Sequence, residues 1–504
     1  MQIQRRNFSI LVVASCLFVL AIYVWFISAG SWTRWPTMSQ GYSRLALSFQ
    51  HGKLWLETKP SSALLALPDP YNPVARNKAK VFYIFDTSLY RGKIYLYWEP
   101  APAIILAGLY ALIPIHIGDQ FVVFVSACGL FVVNILLLLK LWRHFFYNLP
   151  AWAFFITILL TGLASPLLWI LSRPKIYEAA ILSGQFFLTS GFYFAYTFLE
   201  KPASLIWKLV LASICWALAI ASRITLIVPV SFFTATTLLF AIKQISKEAH
   251  SFFWTHLLAA LTVPLLLSAI GLGWYNWARF DSPFETGLRY QLTMWNLNKK
   301  TLFSPGYIPA NLYNYLFNLF QLKQSFPFLL ARAGRQNIHF FSILGLPVYS
   351  EVITGIVIST PFIVFALIPL ISLIKGWLQK RRLEMNNTEA NRLPQCLLEW
   401  TALSLMGSIV LTFSSLLAFF YDTMRYLADF MPGLILLSAL GFWQGLQYLK
   451  MRESKFRSLY GFSAILLAAP SCIISILLAI SSPANIFAKY NPTLLKAMAN
   501  LFGR

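Results

Sequence analysis

The chain has 504 residues, of which 58% are hydrophobic and 11% are charged, a composition that excludes a water-soluble globular protein. Its formal net charge of +23 would suit a nucleic-acid partner, but the basic residues stand in short clusters between apolar runs, as they do in helical membrane proteins. We therefore predict an all-α polytopic membrane protein with no nucleic-acid partner.

Eleven apolar runs are long enough to cross a bilayer, which takes about 20 residues of helix. The first run follows Arg5 and Arg6 and lacks a small-residue cleavage site before Trp32, so we interpret it as an uncleaved helix. The run from Pro100 to Ile117 is short and rich in proline, and we assign it to a juxtamembrane or re-entrant segment. The predicted spans are residues 8–29, 120–140, 151–171, 178–198, 205–222, 224–242, 252–275, 352–374, 397–420, 427–447 and 458–480.

The basic clusters predict the orientation of these spans. If the N-terminus is cytoplasmic, every cluster falls on the cytoplasmic side, and two long loops, 30–119 and 276–351, lie together on the outer side. The clusters are Arg5 and Arg6, Lys140 and Arg143, Lys201 and Lys208, Lys243 and Lys247, Lys375 to Arg392, and Lys450 to Arg457. The predicted divisions are an N-terminal transmembrane module with the first outer loop (1–275), the second outer loop (276–351), and C-terminal helices with a tail (352–504).

Acidic side chains are scarce, with 17 Asp and Glu in the chain, and many of them fall in the predicted outer loops or at the outer ends of helices. Such clustering on one side of a membrane suggests chemistry there. For each acid alone, a helix cap or a structural ion pair is the competing explanation. The acids concerned are Asp69, Asp86, Glu99, Glu178, Asp281, Glu285, Asp422 and Asp429.

Three of these acids lie in the stretch from Pro68 to Ala103. Asp86 is placed to accept a proton from an acceptor hydroxyl, or to cap a helix by accepting from the amide near Ser88. Asp69 stands between prolines in PDPYNP, where making a turn is the simpler role. Glu99 is a candidate for binding substrate.

Glu178 opens a predicted helix after the link that contains Arg173 and Lys175. The helix dipole favours an acid in the first turn, yet a glutamate that enters the apolar layer is costly unless it is paired or used. Its candidate partners are Arg173, Lys175 or a bound substrate, and the two basic residues are themselves candidates for binding the phosphate or the substrate.

Arginines on the predicted outer side are candidates for holding a phosphate, since a guanidinium stays charged and offers a fork of donors. Arg223 stands alone in a tight hairpin, where snorkelling to lipid headgroups is the alternative. Arg289 lies among aromatic residues of the second loop, and Arg425 lies between Asp422 and Asp429 at spacings that also suit an internal salt bridge. The six histidines show no metal-ligand spacing, so we expect no cofactor, with a divalent metal left open.

The order of these parts resembles the membrane glycosyltransferases of the C-type fold (GT-C), the class of protein O-mannosyltransferases and lipid A aminoarabinose transferases. The resemblance covers most of the chain and includes a helix, two long outer loops, and the segments GYSRLALSFQHGKLWL, GKIYLYWEPAPAIILAGLYALIP, SPLLWILSRPKIYEAAI and ALAIASRITLIVP. It implies transfer of a sugar from a polyprenyl-phosphate carrier to a lipid, glycan or protein acceptor on the outer face, with a carboxylate as base and basic residues on the carrier phosphate.

One departure from the family pattern bears on activity. The family usually has an acid just after the first helix, where this chain reads Ser39, Gln40, Gly41. Either Asp86 or Asp69 then supplies the base, or the activity is altered or lost. Glu178 falls where the family often has an aspartate at the mouth of a helix.

The sequence thus favours a multi-pass glycosyltransferase of the cell membrane, active on its outer face. A transporter or flippase of lipid-linked glycans is the alternative, and a noncatalytic scaffold is a third class. A transporter needs polar residues along a path through the bilayer, whereas the acids here crowd at one end. We expect Asp86 and Glu178 to be the catalytic acids, and Arg223 with Arg289 or Arg425 to hold the phosphate.

Overall fold

A computed structural model describes residues 2–113, 116–164, 166–201, 206–244, 251–336, 346–380 and 392–502. Three of the predicted cytoplasmic connections therefore lie partly or largely outside the described residues, namely those with Lys201 and Lys208, with Lys243 and Lys247, and with Lys375 to Arg392. Residues 337–345 of the second long loop also lie outside them.

Long apolar helices make up most of the described chain, which confirms the predicted all-α polytopic membrane architecture. Among the described residues, seven helical segments are long and apolar enough to cross a membrane unaided, and a total of eleven crossings stays a prediction. The helices are α1 (Gln2–Ile27), α2 (Gly41–Gln50), α3 (Ser62–Leu65), α4 (Pro73–Lys78), α5 (Ala101–Leu112), α6 (Asp119–Leu141), α7 (Ala151–Leu163), α8 (Leu167–Leu171), α9 (Ile176–Glu200), α10 (Ile206–Ile220), α11 (Ile227–Gln244), α12 (Ser251–Phe280), α13 (Ile308–Phe317), α14 (Ile356–Ser359), α15 (Leu367–Lys380), α16 (Arg392–Leu417), α17 (Met431–Met451), α18 (Arg457–Ile480), α19 (Ile486–Tyr490) and α20 (Pro492–Leu501).

Short strands occur in the connections between helices. Within the described ranges they form four two-stranded sheets, β1 with β2, β3 with β4, β5 with β7, and β6 with β8, and the last of these is parallel while the others are antiparallel. The strands are β1 (Ser88–Tyr90), β2 (Lys93–Tyr95), β3 (Gln321–Leu322), β4 (Leu329–Leu330), β5 (Arg332–Ala333), β6 (Tyr349–Ser350), β7 (Val352–Ile353) and β8 (Tyr421–Asp422).

Two predicted spans begin later than the apolar pattern indicates. The prediction of helix from residue 352 was wrong, because Val352 and Ile353 pair with β5 as a strand. The long helix α15 starts only at Leu367, after the four-residue helix α14 and a 3-10 segment, Pro361–Ala366. Residues 424–429 likewise form a 3-10 turn, and α17 begins at Met431 with a proline in its first turn, a position that proline tolerates well.

Helix α9 is the centre of the bundle and packs against α6 and α10. The approach of α10 depends on Gly191, since a Cβ there would overlap the Trp216 ring.

By contrast, α12 presents apolar side chains outward, with Leu267 64% and Ile270 68% exposed, as expected of a surface that faces lipid. Helix α5, at 12 residues, is about 18 Å long and too short to span a bilayer core of about 30 Å.

The two long loops are joined into one unit at one end of the bundle. The Asp86 amide donates to the Leu292 carbonyl over 2.9 Å, and the Leu292 amide donates back to Thr87 over 2.8 Å. Arg279, at the end of α12, donates to the carbonyl of Leu96 over 2.6 Å. Polar side chains from both loops and from the adjoining helix ends are thereby brought together.

Candidate active site

Asp86 projects from a backbone that the second loop holds in place. Its φ of 56° is left-handed, a conformation that aspartate tolerates better than most residues. The carboxylate accepts hydrogen bonds from the Tyr177 hydroxyl and from Gln291 Nε2, the latter over 3.3 Å. The alternative of a helix cap was wrong, because residues 88–90 form strand β1.

Burial raises the pKa of Asp86 above its ordinary value, since only 8% of the residue is exposed. Hydrogen bonds from Tyr177 and Thr293 and the charge of Arg425 oppose this shift, and Glu351 adds to it. A carboxylate with a raised pKa holds an abstracted proton more firmly, which suits a general base.

A cluster of four charged side chains lies beside Asp86, and we call Arg173, Glu178, Glu351 and Arg425 the charged cluster. Arg425 Nη1 is 2.8 Å from Glu351 Oε2, and Arg173 Nη1 is 3.9 Å from the same oxygen. Arg173 Nε is 3.2 Å from Glu178 Oε1. Glu178 is fully buried at the start of α9, so its charge is stabilised there by Arg173 and by the helix dipole.

Tyr177 connects Asp86 to the charged cluster. Its hydroxyl donates to Asp86, while the Arg425 guanidinium lies 4.8 Å from the centre of its ring. Trp98 packs edge-on against the other part of the ring, with 5.1 Å between centroids. One tyrosine therefore fixes a carboxylate and a cation relative to each other.

Arg223 approaches the same region but is paired with Asp429, at 2.6 Å. The centre of the Tyr426 ring lies 5.5 Å from the guanidinium of Arg223 and 5.5 Å from that of Arg425. The alternative of an internal salt bridge around Arg425 was wrong. Asp422 instead accepts from Asn314 and Ser350, and residues 422–429 form a strand and a 3-10 turn rather than the α-helix that this salt bridge requires.

Glu99 follows Trp98 in the chain, shortly before α5 begins, and its charge interacts with that of Arg223. Burial raises its pKa to about 7, although the nearby charges of Arg223 and Arg279 lower it. The folded protein therefore takes up a proton at Glu99 at a pH where the unfolded chain has released it.

This proton uptake predicts a pH-dependent effect of Glu99→Gln. Between the ordinary glutamate pKa and about pH 7, the folded state binds more protons than the unfolded state, so the stability contributed by Glu99 falls as pH rises. We expect the variant to gain thermal stability relative to the natural protein as pH increases from 5 to 8. Melting curves in detergent at several pH values measure this difference. If the difference in melting temperature between the two proteins were the same at every pH, the raised pKa of Glu99 would be contradicted.

Asp69 and Arg289, two further candidates, pair with residues outside the charged cluster. The Asp69 carboxylate accepts a hydrogen bond from the Tyr71 amide over 3.0 Å, and this local bond forms a turn. It accepts a second hydrogen bond from the Asn296 side chain over 3.3 Å. The Arg289 side chain is 77% exposed and lies 3.5 Å from Glu285. Lys175 is the residue that precedes the first turn of α9. Their roles in catalysis or binding stay predictions.

Asp119 brings a carboxylate to the segment around Ser39 to Gly41, where this chain has no acid of its own. Its carboxylate accepts from Ser39 Oγ at 2.6 Å, from the Gly41 amide at 2.8 Å and from the Tyr42 amide at 3.0 Å. Gln40 itself provides no side-chain cap to α2. The first residue of α6 therefore caps α2 from a distant part of the chain.

We expect Asp119→Ala to lower the stability by about 1–3 kcal/mol, because the Ser39 hydroxyl and two backbone amides would lose their acceptor in a buried place. Ser39→Ala removes a single donor and should cost less. Thermal unfolding of both variants in detergent measures the difference, and equal effects would show that the amides do not depend on Asp119.

No protein-family model matches this sequence, and no curated protein matches it either. Solved structures do resemble it. The oligosaccharyltransferase of Archaeoglobus fulgidus in its apo form is 12% identical, with a TM-score of 0.43 over 93% of this chain and 56% of that chain. The same archaeal enzyme in complex with an inhibitory peptide and a dolichol-phosphate is 13% identical, with a TM-score of 0.46 over 93% of this chain and 56% of that chain.

A second similar structure is that of ArnT from Cupriavidus metallidurans bound to undecaprenyl phosphate, at 11% identity and a TM-score of 0.40 over 98% of this chain and 78% of that chain. Both similar proteins are membrane glycosyltransferases of the class that the sequence resembles. This chain spans only 56% of the length of the archaeal enzyme. At such identities and TM-scores, the likeness assigns neither a reaction nor a substrate to this chain.

Proposed function

We propose that this protein is an integral membrane glycosyltransferase that moves a sugar from a polyprenyl-phosphate carrier to an acceptor on the outer face of the membrane. The observation that supports it is the convergence of Asp86 and Arg425 on the two sides of Tyr177. A carboxylate and an arginine held side by side are the two groups that a sugar transfer from a phosphate needs.

In the proposed reaction, the acceptor hydroxyl attacks the anomeric carbon of the donor sugar. The new bond joins the acceptor oxygen to that carbon, and the bond between the carbon and the carrier phosphate oxygen breaks. Asp86 takes the hydroxyl proton, and the electron pair of the broken bond leaves with the phosphate. Arg425 and Arg173 stabilise the negative charge that develops there.

Glu178 acts through Arg173 in this scheme. It is buried and lies 3.2 Å from Arg173 Nε, so its charge keeps the guanidinium in place and limits the ways in which it can turn. Arg223, whose guanidinium lies 5.5 Å from the Tyr426 ring, and Glu99, whose charge interacts with that of Arg223, are proposed to bind the sugar or the carrier. The distribution of basic residues supports the proposed outer-face position, because it favours an orientation with both long loops outside.

A transporter of lipid-linked glycans is the competing class. Beneath the site, a cavity of about 30 Å³ is lined by polar side chains of Gln185, Thr189, Ser408 and Asp429 among apolar ones. Such a volume holds about a water molecule or two and is far too small for a sugar. This cavity therefore gives no support to the passage of a glycan.

A reconstituted system tests the proposal. Purified protein in liposomes is given undecaprenyl-phosphate sugars with different head sugars, together with membrane lipid, glycan and peptide acceptors. We expect a glycosylated acceptor and free undecaprenyl phosphate in equal amounts, measured by mass spectrometry. Movement of the labelled donor across the bilayer without transfer would overturn the proposal in favour of a transporter.

A further inference from the structure

Glu351 holds a position among donors that are also suited to a phosphate. We propose that Arg173 and Arg425 form a binding site for a phosphoryl group and that the Glu351 carboxylate fills this site while no ligand is bound. The inference rests on the proposed function, because it identifies where the donor phosphate binds. It adds an acid from the second loop that the binding phosphate must displace.

Three donors around Glu351 approach a single oxygen, Oε2, and the Tyr421 hydroxyl also hydrogen-bonds to the carboxylate. Arg425 Nη1 and the Thr423 hydroxyl each lie 2.8 Å from Oε2, and Arg173 Nη1 lies 3.9 Å from it. A carboxylate oxygen has too few lone pairs to accept well from all of them. A phosphate, with three terminal oxygens, can give Arg173 and Arg425 separate acceptors at hydrogen-bond distance.

One buried donor of the charged cluster, Arg425 Nε, makes no hydrogen bond within the described residues, and the Arg425 side chain is only 7% exposed. Arg173 is 12% exposed, and its Nη1 lies 3.9 Å from Glu351 while its Nε is paired with Glu178. A buried polar group without a partner is costly. A ligand that brings more oxygens than Glu351 would remove that cost.

Glu351 is also the member of the charged cluster that can leave. Its side chain is 36% exposed, whereas that of Glu178 is fully buried in α9. The backbone around Glu351 is held by two very short pairings, β6 with β8 and β5 with β7, of two residue pairs each. Moving it requires a few hydrogen bonds to break, while moving the arginines would disturb the helix ends.

The charge balance agrees with an exchange of anions. Arg173 and Arg425 carry two positive charges, and Glu178 and Glu351 carry two negative charges, so the charged cluster is neutral. A phosphate added without displacement would leave at least one extra negative charge in a largely buried place, which is unfavourable. If a phosphate with one negative charge replaces Glu351, the cluster stays neutral, and a phosphate with two negative charges leaves it with a single net negative charge.

The test is the affinity of Glu351→Gln for undecaprenyl phosphate in lipid nanodiscs and for inorganic phosphate. Glutamine keeps the shape of the side chain but removes the competing charge. If Glu351 fills the site about nine-tenths of the time, its removal should make undecaprenyl phosphate bind about tenfold more tightly.

Glu57→Gln is the matched control, since Glu57 is an acid of the first loop with a similar exposure of 42% and pairs only with Lys53 and His51 among the described residues. It should leave the affinity unchanged.

Two further variants keep the test decisive. Glu351→Asp retains the charge on a shorter side chain and should give a smaller gain, and adding Arg173→Gln to Glu351→Gln should abolish the gain. A gain with inorganic phosphate as well as with the lipid assigns the site to the phosphoryl group alone, and a gain with the lipid alone assigns it to the carrier.

Unchanged or weaker binding of both probes by Glu351→Gln would overturn the inference, because an acid that merely positions Arg425 should be needed for binding. The measurement involves no sugar transfer. A failure of the proposed reaction would therefore leave a tenfold gain in phosphate binding standing, and a failure of this exchange would leave the reaction standing.

Discussion

Replacing Asp86 with asparagine is expected to lower the rate of sugar transfer by about 100-fold or more. The amide keeps the size of the carboxylate and its place between Tyr177 and Gln291, but it cannot take a proton from the acceptor. Binding of the carrier and the melting temperature should change little, because asparagine also tolerates the left-handed backbone found here. Initial rates with a lipid-phosphate sugar measure the effect.

Asp281→Asn provides the matched control. Asp281 has nearly the same backbone conformation, with a φ of 58° against 56° for Asp86. Its side chain is 51% exposed and pairs with Arg91 at 2.8 Å, away from the charged cluster. The control should keep the natural rate. If Asp86→Asn also kept it, the base would have to be another acid, with Glu178, Asp69 and Glu99 as the remaining candidates.

The pH profile gives a second readout of the same role. A base works only when it is deprotonated, so activity should fall as pH drops through the pKa of Asp86, which burial raises above the ordinary aspartate range. Tyr177→Phe removes a hydrogen bond that lowers this pKa, and it should move the acid limb of the profile to higher pH. If the acid limb of the profile did not move, Asp86 would not be the group whose protonation limits the activity.

The largest loss of stability is expected for Arg223→Gln, at about 3–5 kcal/mol, because it leaves the buried Asp429 carboxylate without its partner. Asp429→Asn in the same chain should restore most of the loss, since the double variant buries no unpaired charge. Thermal unfolding in detergent of the two single variants and the double variant measures the coupling between the residues.

The exposed pair of Arg91 and Asp281 serves as the control for that cycle. Its side chains are 71% and 51% exposed, so Arg91→Gln should change stability by at most about 1 kcal/mol. If Arg223→Gln were equally mild but weakened the binding of undecaprenyl phosphate, Arg223 would serve the carrier rather than Asp429. A large loss with full rescue by Asp429→Asn would make Arg223 chiefly a structural residue.

Several residues of the candidate site could be found from the sequence because their signals are local. Asp86, Glu178, Arg173, Arg223 and Arg425 all drew attention as rare charged residues beside apolar runs, and the structure brings them to one end of the bundle. Arg289 carried the same signal, yet its side chain is 77% exposed and lies beside Glu285. A pattern of charges along the chain shows which residues are unusual, but it does not show which of them meet.

Tyr177, Glu351 and Asp119 were missed for the same reason. Tyr177 looks like one more aromatic residue of a membrane interface, and Glu351 stands in the second loop with no charged neighbour in sequence. Asp119 opens a span like many first-turn acids. A search for acids that have no basic residue nearby in sequence would have singled out Glu351 and Asp119.

The sequence by itself determined the polytopic helical architecture, because spanning a bilayer depends on the length and apolarity of single segments, and it determined which polar residues are too costly to be there by chance. Only the tertiary structure decided the partners of those residues. Arg425 meets Glu351 across 74 positions, Asp86 meets Tyr177 across 91, and Arg223 meets Asp429 across 206. Electrostatic attraction and hydrogen bonding depend on distance in space, and that distance is set by how the helix ends and the two long loops pack together.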